Sequence, residues 1–221
     1  MFKYPKIETL FERDENFKVT NKIRLPEFEN IKDWLITEKI DGTNIRVIFE
    51  RENDQHDSCV TFWGRTDKAE IPLFLFETLQ KMFPIEKFIE IFNEAKEVCL
   101  YGEGYGAKIQ KGGGDYNKGN SFRLFDVWID GWWLEWDSIV EIAGKLAIGT
   151  VPEVGIREIE NAVDLVRGDN RLYSSIAEEE NGKTVLVEGI VARAYPTMLF
   201  RNGIPIKWKL KIKDYKKGNN V

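Results

Sequence analysis

The chain has 221 residues, 43% of them hydrophobic and 13% aromatic, so it can bury a sizeable core, and wholesale disorder is excluded. Its net charge of −5 excludes a general affinity for nucleic acid, although the basic stretch "KWKLKIKDYKK" predicts a local basic groove. No apolar run approaches about 20 residues and the charged N-terminus is not a signal peptide, so we expect a cytoplasmic protein without a membrane segment.

Short apolar or alternating runs bounded by turn residues predict a chain rich in β-strands. In chain order the predicted strands are "DWLITEK", "NIRVIFE", "CVTFWGR", "VCLYGEG", "SFRLFDVWID", "GWWLEW", "VLVEGIVAR" and "PIKWKLKI". Turns are predicted at Asp41-Gly42, Asp130-Gly131, Asn181-Gly182 and Asn202-Gly203, the first of them as the tip of a hairpin.

Helical spacing of apolar residues interrupts the strands. "FLFETLQKMF" and "PIEKFIEIFNEAK" predict helices, with Pro84 in the first turn of the second one. "DSIVEIAGKLA" predicts a helix capped by Asp137, and "IREIENAVDLVRG" one that ends at Gly168. This mixture predicts an α+β fold with mostly antiparallel sheet, as one domain over residues 1–215 followed by a flexible tail at 216–221.

Cysteine and histidine are scarce. Cys59 and Cys99 are too few for a disulfide framework or a zinc site, which favours a reducing compartment. The single histidine, His56, lies in the polar run "RENDQHDS" and is interpreted as a loop residue. Hydrolases built on a histidine base are therefore excluded.

Lys39 ends the run "LITEK", two residues before Asp41-Gly42. An ordinary lysine amine, with a pKa of about 10.4, is protonated at neutral pH and attacks nothing unless desolvation, positive charge or a metal ion activates it. These residues alone leave two interpretations open: a solvated turn lysine, which is the commoner case, or a nucleophile.

Five later stretches carry charged or aromatic side chains where strands are predicted. "FWGRT" offers Arg65 at a strand end, "LYGEGYG" sets Glu103 between glycines, and "RLFDVW" contains Phe125. "VLVEGIVAR" buries Glu188 in an apolar run, which is costly unless the carboxylate is paired or faces a metal. "IKWKLKIKDY" alternates, and its second face carries Lys207, Lys209, Lys211 and Lys213. A lysine ladder of this kind is suited to a phosphate groove.

In this order the stretches resemble the motifs of the covalent nucleotidyltransferases, which comprise ATP-dependent RNA and DNA ligases and mRNA capping enzymes. "EKIDG", "GRT", "EGYG", "LFDVW", "VEGIV" and "KLK" match successive motifs from about Lys6 to Tyr215. "EKIDGTN" followed by "YGEGYG" is most similar to the ATP-dependent RNA ligases of the RNA ligase 2 branch. The resemblance implies a nucleotidyltransferase (adenylation) domain of antiparallel β-sheets flanked by helices.

The resemblance also implies the reaction and its cofactors. Lys39 attacks the α-phosphorus of ATP, AMP passes from the lysine to the 5′-phosphate of a polynucleotide, and a 3′-hydroxyl then displaces AMP. Carboxylates near a lysine favour its inert ammonium form, so Mg²⁺ or Mn²⁺ is expected to be required.

The roles of single residues follow from the same resemblance. Glu103 and Glu188 are expected to hold the ribose and the metal, directly or through water, and Phe125 to stack on adenine. Lys209 and Lys211 are expected to contact the α-phosphate, with Lys207 and Lys209 as the alternative register. The remaining ATP-binding residues implied are Glu38 at the adenine edge, Asn44 acting through water or metal, and Arg65 on ribose or phosphate.

The expected substrate is RNA with 5′-phosphate and 3′-hydroxyl ends, in an RNA-repair role of a viral or bacterial type. A DNA ligase, an enzyme that only adenylylates ends, and a binding module without catalysis remain alternatives. Retention of Lys39 argues against the last of these. No oligonucleotide-binding barrel is recognised after the lysine motif, so a protein partner is expected to supply an accessory domain. The segment "QKGGGDYNKGN" lacks the Gly-Lys-Ser/Thr of a P-loop and is predicted to be a mobile loop near the RNA.

Overall fold

The computed structural model describes residues 3–51, 58–167 and 171–215. His56, Gly168 and the tail predicted at 216–221 lie outside these described residues. The chain divides into two compact units. The first unit contains the residues up to Tyr4 together with Asp41–Val151, and the second unit contains Pro5–Ile40 and Pro152–Val221.

The helices and strands follow in chain order. The strands are β1 (Glu8–Thr9), β2 (Phe11–Arg13), β3 (Val19–Ile23), β4 (Trp34–Lys39), β5 (Thr43–Arg51), β6 (Ser58–Gly64), β7 (Glu97–Gly106), β8 (Asn120–Ile129), β9 (Trp132–Trp133), β10 (Gly149–Thr150), β11 (Glu153–Arg157), β12 (Gly189–Ala194) and β13 (Lys207–Lys211). The helices are α1 (Pro26–Glu29), α2 (Leu73–Met82), α3 (Ile85–Ile91), α4 (Gly113–Tyr116), α5 (Trp136–Leu146), α6 (Ile159–Arg167) and α7 (Ser175–Asn181), and a 3₁₀ turn covers Ile212–Tyr215.

The first unit is built on a sheet with the strand order β10-β8-β7-β5-β6, and β9 pairs with β8. Its central strands are antiparallel, while β10 joins β8 in parallel. Helices α2 and α5 pack against β8. Aromatic rings fill the core beneath the sheet, where Phe83 meets Phe122 edge-on at 5.1 Å between centroids and Phe88 stacks on Phe49 at 5.6 Å.

The second unit is built on a sheet with the strand order β1-β13-β12-β4-β11, beside the ribbon β2-β3. One face of this sheet forms the core, through Trp34, Ile36, Ile190, Trp208 and Leu210, together with apolar residues of α6. Because successive side chains of a strand point to opposite faces, the residues between these core positions lie on the other face. That second face carries Lys39, Lys209 and Lys211.

The predicted α+β fold with mostly antiparallel sheets is confirmed. The alternation in the last strand is confirmed in part: Ile206, Trp208, Leu210 and Ile212 are buried, but Lys207 is buried as well. Strand β13 lies between β1 and β12 and is therefore not a solvated edge strand.

Several predicted boundaries are wrong. The strand predicted over "VLVEGIVAR" begins only at Gly189, so Glu188 precedes the strand instead of lying in its middle. Most of "GWWLEW" is not strand, and α5 begins at Trp136 with Asp137 inside its first turn, not at the cap. Asn181-Gly182 is a helix end and not a hairpin turn: Gly182, at φ 61°, closes α7 in the left-handed conformation that glycine tolerates.

Asp41-Gly42 is not the tip of a hairpin. Strand β4 pairs with β11 and β12, whereas β5 pairs with β6 and β7. The turn after Lys39 is therefore the point where the chain passes from the second unit into the first.

The segment predicted to be a mobile loop, residues 110–120, belongs to a folded loop that spans residues 107–119 and to the start of β8. The backbone N–H of Ala107 donates to the carbonyls of Asn117 and Gly119, at 3.1 and 2.8 Å, and closes the base of the loop. Its helix α4 contributes Tyr116, which is buried. Within the part of the chain that the structure describes, no helix has the length and apolar character required to cross a membrane.

Candidate active site

Three strands of the second unit place Lys39 and Lys211 on either side of Gly189. Lys39 ends β4, Lys211 ends β13, and both pair in register with Gly189, the first residue of β12. Directly paired residues of antiparallel strands project to the same face, so the two lysines flank a position that has no side chain. A Cβ atom on Gly189 would lie 2.0 Å from the carbonyl oxygen of Leu210, so this row of the sheet requires glycine.

Glu188 joins the two lysines. The Nζ of Lys39 donates to Oε2 of Glu188 at 2.5 Å, and the Nζ of Lys211 forms an ion pair with Oε1. Burial opposes ionisation of this carboxyl, but the charges and hydrogen bonds of Lys39 and Lys211 outweigh it and hold the pKa of Glu188 below its usual value. Two ammonium groups and one carboxylate leave a net charge of +1 in a mostly buried cluster, which suits it to an anionic group such as a phosphate.

Lys209 and Lys207 continue the same face of the sheet. Lys209 pairs with Val191 and Lys207 with Arg193, so each lies one further step along the face from Lys211. Lys209 is half-buried, whereas Lys207 and Arg193 are both buried. Of the two registers considered for the lysine motif, the one with Lys209 and Lys211 includes the lysine that contacts Glu188.

Glu38 lies on the opposite face of β4 from Lys39, since it pairs with Ile190 of the core row. Its side chain is buried, and Oε1 accepts a hydrogen bond from the Ser174 hydroxyl at 2.5 Å. The Ser174 hydroxyl in turn accepts from the backbone N–H of Ala177 at 3.2 Å and caps α7. Glu38 therefore ties β4 to the start of α7, and contact with adenine stays a prediction.

In the first unit, Asn44, Glu103 and Arg123 lie in one row across β5, β7 and β8. The turn that follows Lys39 packs on this row, because a Cβ atom at Gly42 would lie 2.8 Å from Cγ of Glu103. The buried Oδ1 of Asn44 has no hydrogen-bond partner among the described residues. A buried carbonyl oxygen without a donor is costly, so Asn44 is an acceptor suited to a ligand or a bound water.

Arg123 was not identified from the sequence. It lies directly opposite Glu103, and its Nε donates to the Tyr105 hydroxyl at 3.2 Å. The sequence feature that could have identified Arg123 is its position in "RLFDVW", two residues before Phe125 on an alternating strand.

Phe125 occupies a β-bulge. Asp126 pairs with Tyr101 and Leu124 pairs with Gly102, so Phe125 is the extra residue that the register shift inserts on β8. A bulge of this kind redirects one side chain next to a functional site. The half-buried ring of Phe125 meets the ring of Tyr4 edge-on at 5.1 Å, and the Tyr4 hydroxyl donates to the fully buried carboxylate of Asp126.

Arg65 is exposed directly after β6, and a second arginine that the sequence did not single out supports its turn. The Nε of Arg46 donates to the Gly64 carbonyl at 2.8 Å, and its Nη2 donates to Oδ1 of Asp67, also at 2.8 Å. Arg46 is only 1% exposed. A buried guanidinium therefore holds the chain on both sides of Arg65.

The carboxylates present do not form an all-protein metal cage. Within residues 3–51, 58–167 and 171–215, no group of three or more His, Cys, Asp or Glu side chains is placed to hold a metal ion. Mg²⁺ typically keeps several waters and takes few protein carboxylates beside substrate phosphates. The unsatisfied Oδ1 of Asn44 and single carboxylates such as Glu103 fit an ion held in that manner.

Comparisons with known proteins identify related sequences and folds. A family model described as RNA ligase matches residues 32–209. No curated protein sequence matches the chain.

Similar solved structures include those of an RNA ligase from Naegleria gruberi. A lysine-to-alanine variant with ATP and Mn has a TM-score of 0.62 at 19% identity, and the match covers 97% of this chain and 62% of that one. An arginine-to-alanine variant with ATP and Mn gives 0.62 at 19% identity, covering 98% and 58%. A lysine-to-methionine variant with AMP and Mn gives 0.59 at 20% identity, covering 96% and 62%. The chain thus spans about three fifths of these proteins, and the matches confirm the predicted fold.

Proposed function

The chain belongs to the RNA ligase family, and from this premise we propose that it is an ATP-dependent RNA ligase that joins 3′-hydroxyl and 5′-phosphate ends through AMP carried on Lys39. The observation that supports the proposal best is the cluster of Lys39, Glu188 and Lys211. It gives a lysine at a strand end both a carboxylate and a second cation, in surroundings with a net positive charge.

In the first proposed step, a neutral Lys39 amine attacks the α-phosphorus of ATP. An N–P bond forms, the bond from the α-phosphorus to the bridging oxygen breaks, and pyrophosphate leaves while the nitrogen loses a proton to solvent. An ammonium nitrogen has no lone pair, so Lys39, whose Nζ donates to Glu188, must give up a proton before it attacks. Lys211 and Lys209 lie on the same face of the sheet as Lys39. In the proposed step they stabilise the charge that spreads over the phosphate.

In the second step, a 5′-phosphate oxygen attacks the phosphorus held by Lys39, the N–P bond breaks and the lysine regains a proton. In the third, a 3′-hydroxyl attacks the 5′-phosphorus and AMP leaves. Phe125 would stack on adenine, and Arg65 would contact ribose or phosphate. Glu38, whose carboxylate the Ser174 hydroxyl holds, would contact the adenine edge from β4.

Glu103 and Asn44 in the first unit, and separately Glu188 in the second, are the residues that would contact a divalent cation, Mg²⁺ or Mn²⁺, directly or through water. A bound cation would neutralise phosphate charge and offset the carboxylates near the lysine. The Naegleria gruberi RNA ligase structures contain ATP and Mn, or AMP and Mn, which supports these cofactors here.

We treat residues 1–215 as one nucleotidyltransferase domain that comprises both compact units. The chain spans about three fifths of the matched RNA ligases, and a partner that supplies an RNA-binding domain stays a proposal. We propose a reducing, cytoplasmic setting, because Cys59 and Cys99 are both free thiols.

Intact mass spectrometry tests the proposal. The protein is incubated with ATP and Mg²⁺, and then with a nicked RNA duplex that carries a 5′-phosphate. We expect the mass to rise by one AMP, the RNA to remove that AMP, and a sealed strand to form. Lys39→Ala should not gain AMP, whereas Lys145→Ala, at an exposed helix position, should behave as wild type.

The alternatives predict other outcomes. Sealing of nicked DNA in preference to RNA would favour a DNA ligase. Transfer of AMP from the protein to the 5′-phosphate end without sealing would favour an end-adenylylating enzyme. A folded protein that gains no AMP at saturating ATP would contradict the assignment of Lys39 and favour a binding module.

A further inference from the structure

Residues 107–119, which we call the lysine loop, form the most basic exposed segment near the Asp41-Gly42 turn. Lys108, Lys111 and Lys118 are exposed, and Asp115 is the one acidic residue in the loop's sequence. The loop therefore carries a net charge of +2 in a chain whose net charge is −5. Exposed lysines are usually only solvated, so the charge by itself does not identify a function.

The loop holds its lysines on a fixed backbone. Besides the two hydrogen bonds of the Ala107 N–H, the side-chain oxygen of Asn117 accepts from the backbone N–H of Gly119 at 2.5 Å. A Cβ atom on Gly113 would lie 2.0 Å from the carbonyl oxygen of Gly106, so helix α4 lies directly against the end of β7. Tyr116 anchors the loop from below, with its ring 6.4 Å from that of Tyr105. A preorganised loop loses less entropy when it binds a ligand.

The lysine loop also contacts the turn that follows the proposed nucleophile. The side-chain amide of Gln110 donates to the carbonyl of Gly42 at 3.2 Å. A Cβ atom on Gly112 would lie 3.7 Å from the Asp41 carboxylate. These contacts fix the loop next to a turn only two residues along the chain from Lys39.

We propose that the lysine loop binds the phosphate backbone of the RNA substrate through Lys108, Lys111 and Lys118. This inference rests on the proposed function, because it names the surface that would bring RNA to the adenylylated lysine. Ammonium groups on a fixed loop contact phosphates as point charges without reading the sequence. The binding should therefore be independent of sequence and sensitive to salt.

The test compares a triple variant, Lys108→Gln, Lys111→Gln and Lys118→Gln, with a control triple of the same charge change, Lys18→Gln, Lys81→Gln and Lys145→Gln. The control lysines are exposed at other places in the structure. Affinity for a 5′-phosphorylated single-stranded RNA is measured by fluorescence anisotropy between about 50 and 200 mM salt. Gain of AMP from ATP is measured separately by intact mass.

We expect the loop variant to gain AMP as wild type does, to bind RNA more weakly, and to pass AMP to RNA poorly. Three lost phosphate contacts should reduce the slope of log K against log salt by about 2. Single variants of the three lysines should each reduce the slope by a part of this amount.

The inference is overturned if the loop triple has the same RNA affinity and salt slope as the control triple. It is also overturned if only the control triple loses affinity. These binding results do not depend on adenylylation. A wild-type protein that fails to gain AMP contradicts the proposed function, while the slopes still decide the role of the loop.

Discussion

The buried arginine beneath the Arg65 turn offers a quantitative test of the structure. Replacing Arg46 by methionine keeps a long apolar stem and removes the guanidinium. The change leaves the buried Gly64 carbonyl without its donor and Asp67 without its ion pair. We expect Arg46→Met to destabilise the protein while the overall fold is retained.

The magnitude follows from the two contacts. A hydrogen bond to a charged donor contributes about 1.5–3 kcal/mol to the free energy of unfolding. The full amount is lost at the Gly64 carbonyl, because this buried site offers no water as a replacement donor. The Asp67 side chain is 40% exposed, so its ion pair contributes only about 0–1 kcal/mol. Methionine recovers part of the sum through apolar packing, which leaves a loss of about 2–3 kcal/mol. For a chain of this length, Tm should fall by roughly 5–10 °C.

Thermal unfolding followed by circular dichroism measures this effect. Arg157→Met is the matched control, because Arg157 is exposed and its guanidinium donates, among the described residues, to the carbonyls of Ile156 and Val154 in its own strand. The control should stay close to wild type. An Arg46→Met protein with the same Tm as Arg157→Met would refute the claim that Arg46 stabilises the turn around Arg65. Asp67→Asn should cost less than Arg46→Met, since the Gly64 contact remains.

Three further predictions concern other parts of the chain. Because the pKa of Glu188 is held below its usual value of 4.5, its ion pairs stabilise the protein above that pH and are lost as the pH falls through the folded pKa. The difference in Tm between wild type and Glu188→Gln should therefore shrink from about pH 6 to about pH 3, and a constant difference would argue against the pairing. Burial raises the pKa of the Cys99 thiol to about 12, so a thiol reagent at neutral pH should modify the exposed Cys59 quickly and Cys99 only on unfolding. Gly189→Ala should lower the free energy of unfolding, measured by urea denaturation, by about 1–3 kcal/mol. Gly144→Ala in α5 should be neutral or stabilising, because no atom outside the helix's own nearby backbone lies within 4 Å of the added methyl.

Most strands could be predicted because local patterns decide them. The bounds of β4, β5, β7 and β8 agree with the predicted runs to within a residue or two, since alternating and β-branched residues mark strands that tertiary contacts then complete. The core face of β13 was likewise visible in its alternation. The burial of Lys207 was not, because the sequence of β13 does not reveal what covers its second face.

The candidate residues were found by the order of motifs and not by local physics. The residues around Lys39 favour a solvated turn lysine, and only the structure shows that Lys39 pairs with Glu188. Arg46 could not be predicted, because an arginine in a strand ordinarily points to solvent and its partners lie in another element. The folded lysine loop was missed for a related reason: its glycines suggest mobility, but Gly113 is there to allow close backbone contact.

The pairing of Lys39 with Glu188 has a consequence for synthesis on the ribosome. The two residues are 149 positions apart, and β12, which pairs with β4, is also made late. At typical translation speeds of about 5–20 residues per second, Glu188 is made roughly 7–30 s after Lys39. Residues 41–151 of the first unit are complete well before that time. A nascent chain that ends before Glu188 therefore holds Lys39 without its carboxylate, and the ion-paired cluster is complete only after Lys211 has been made.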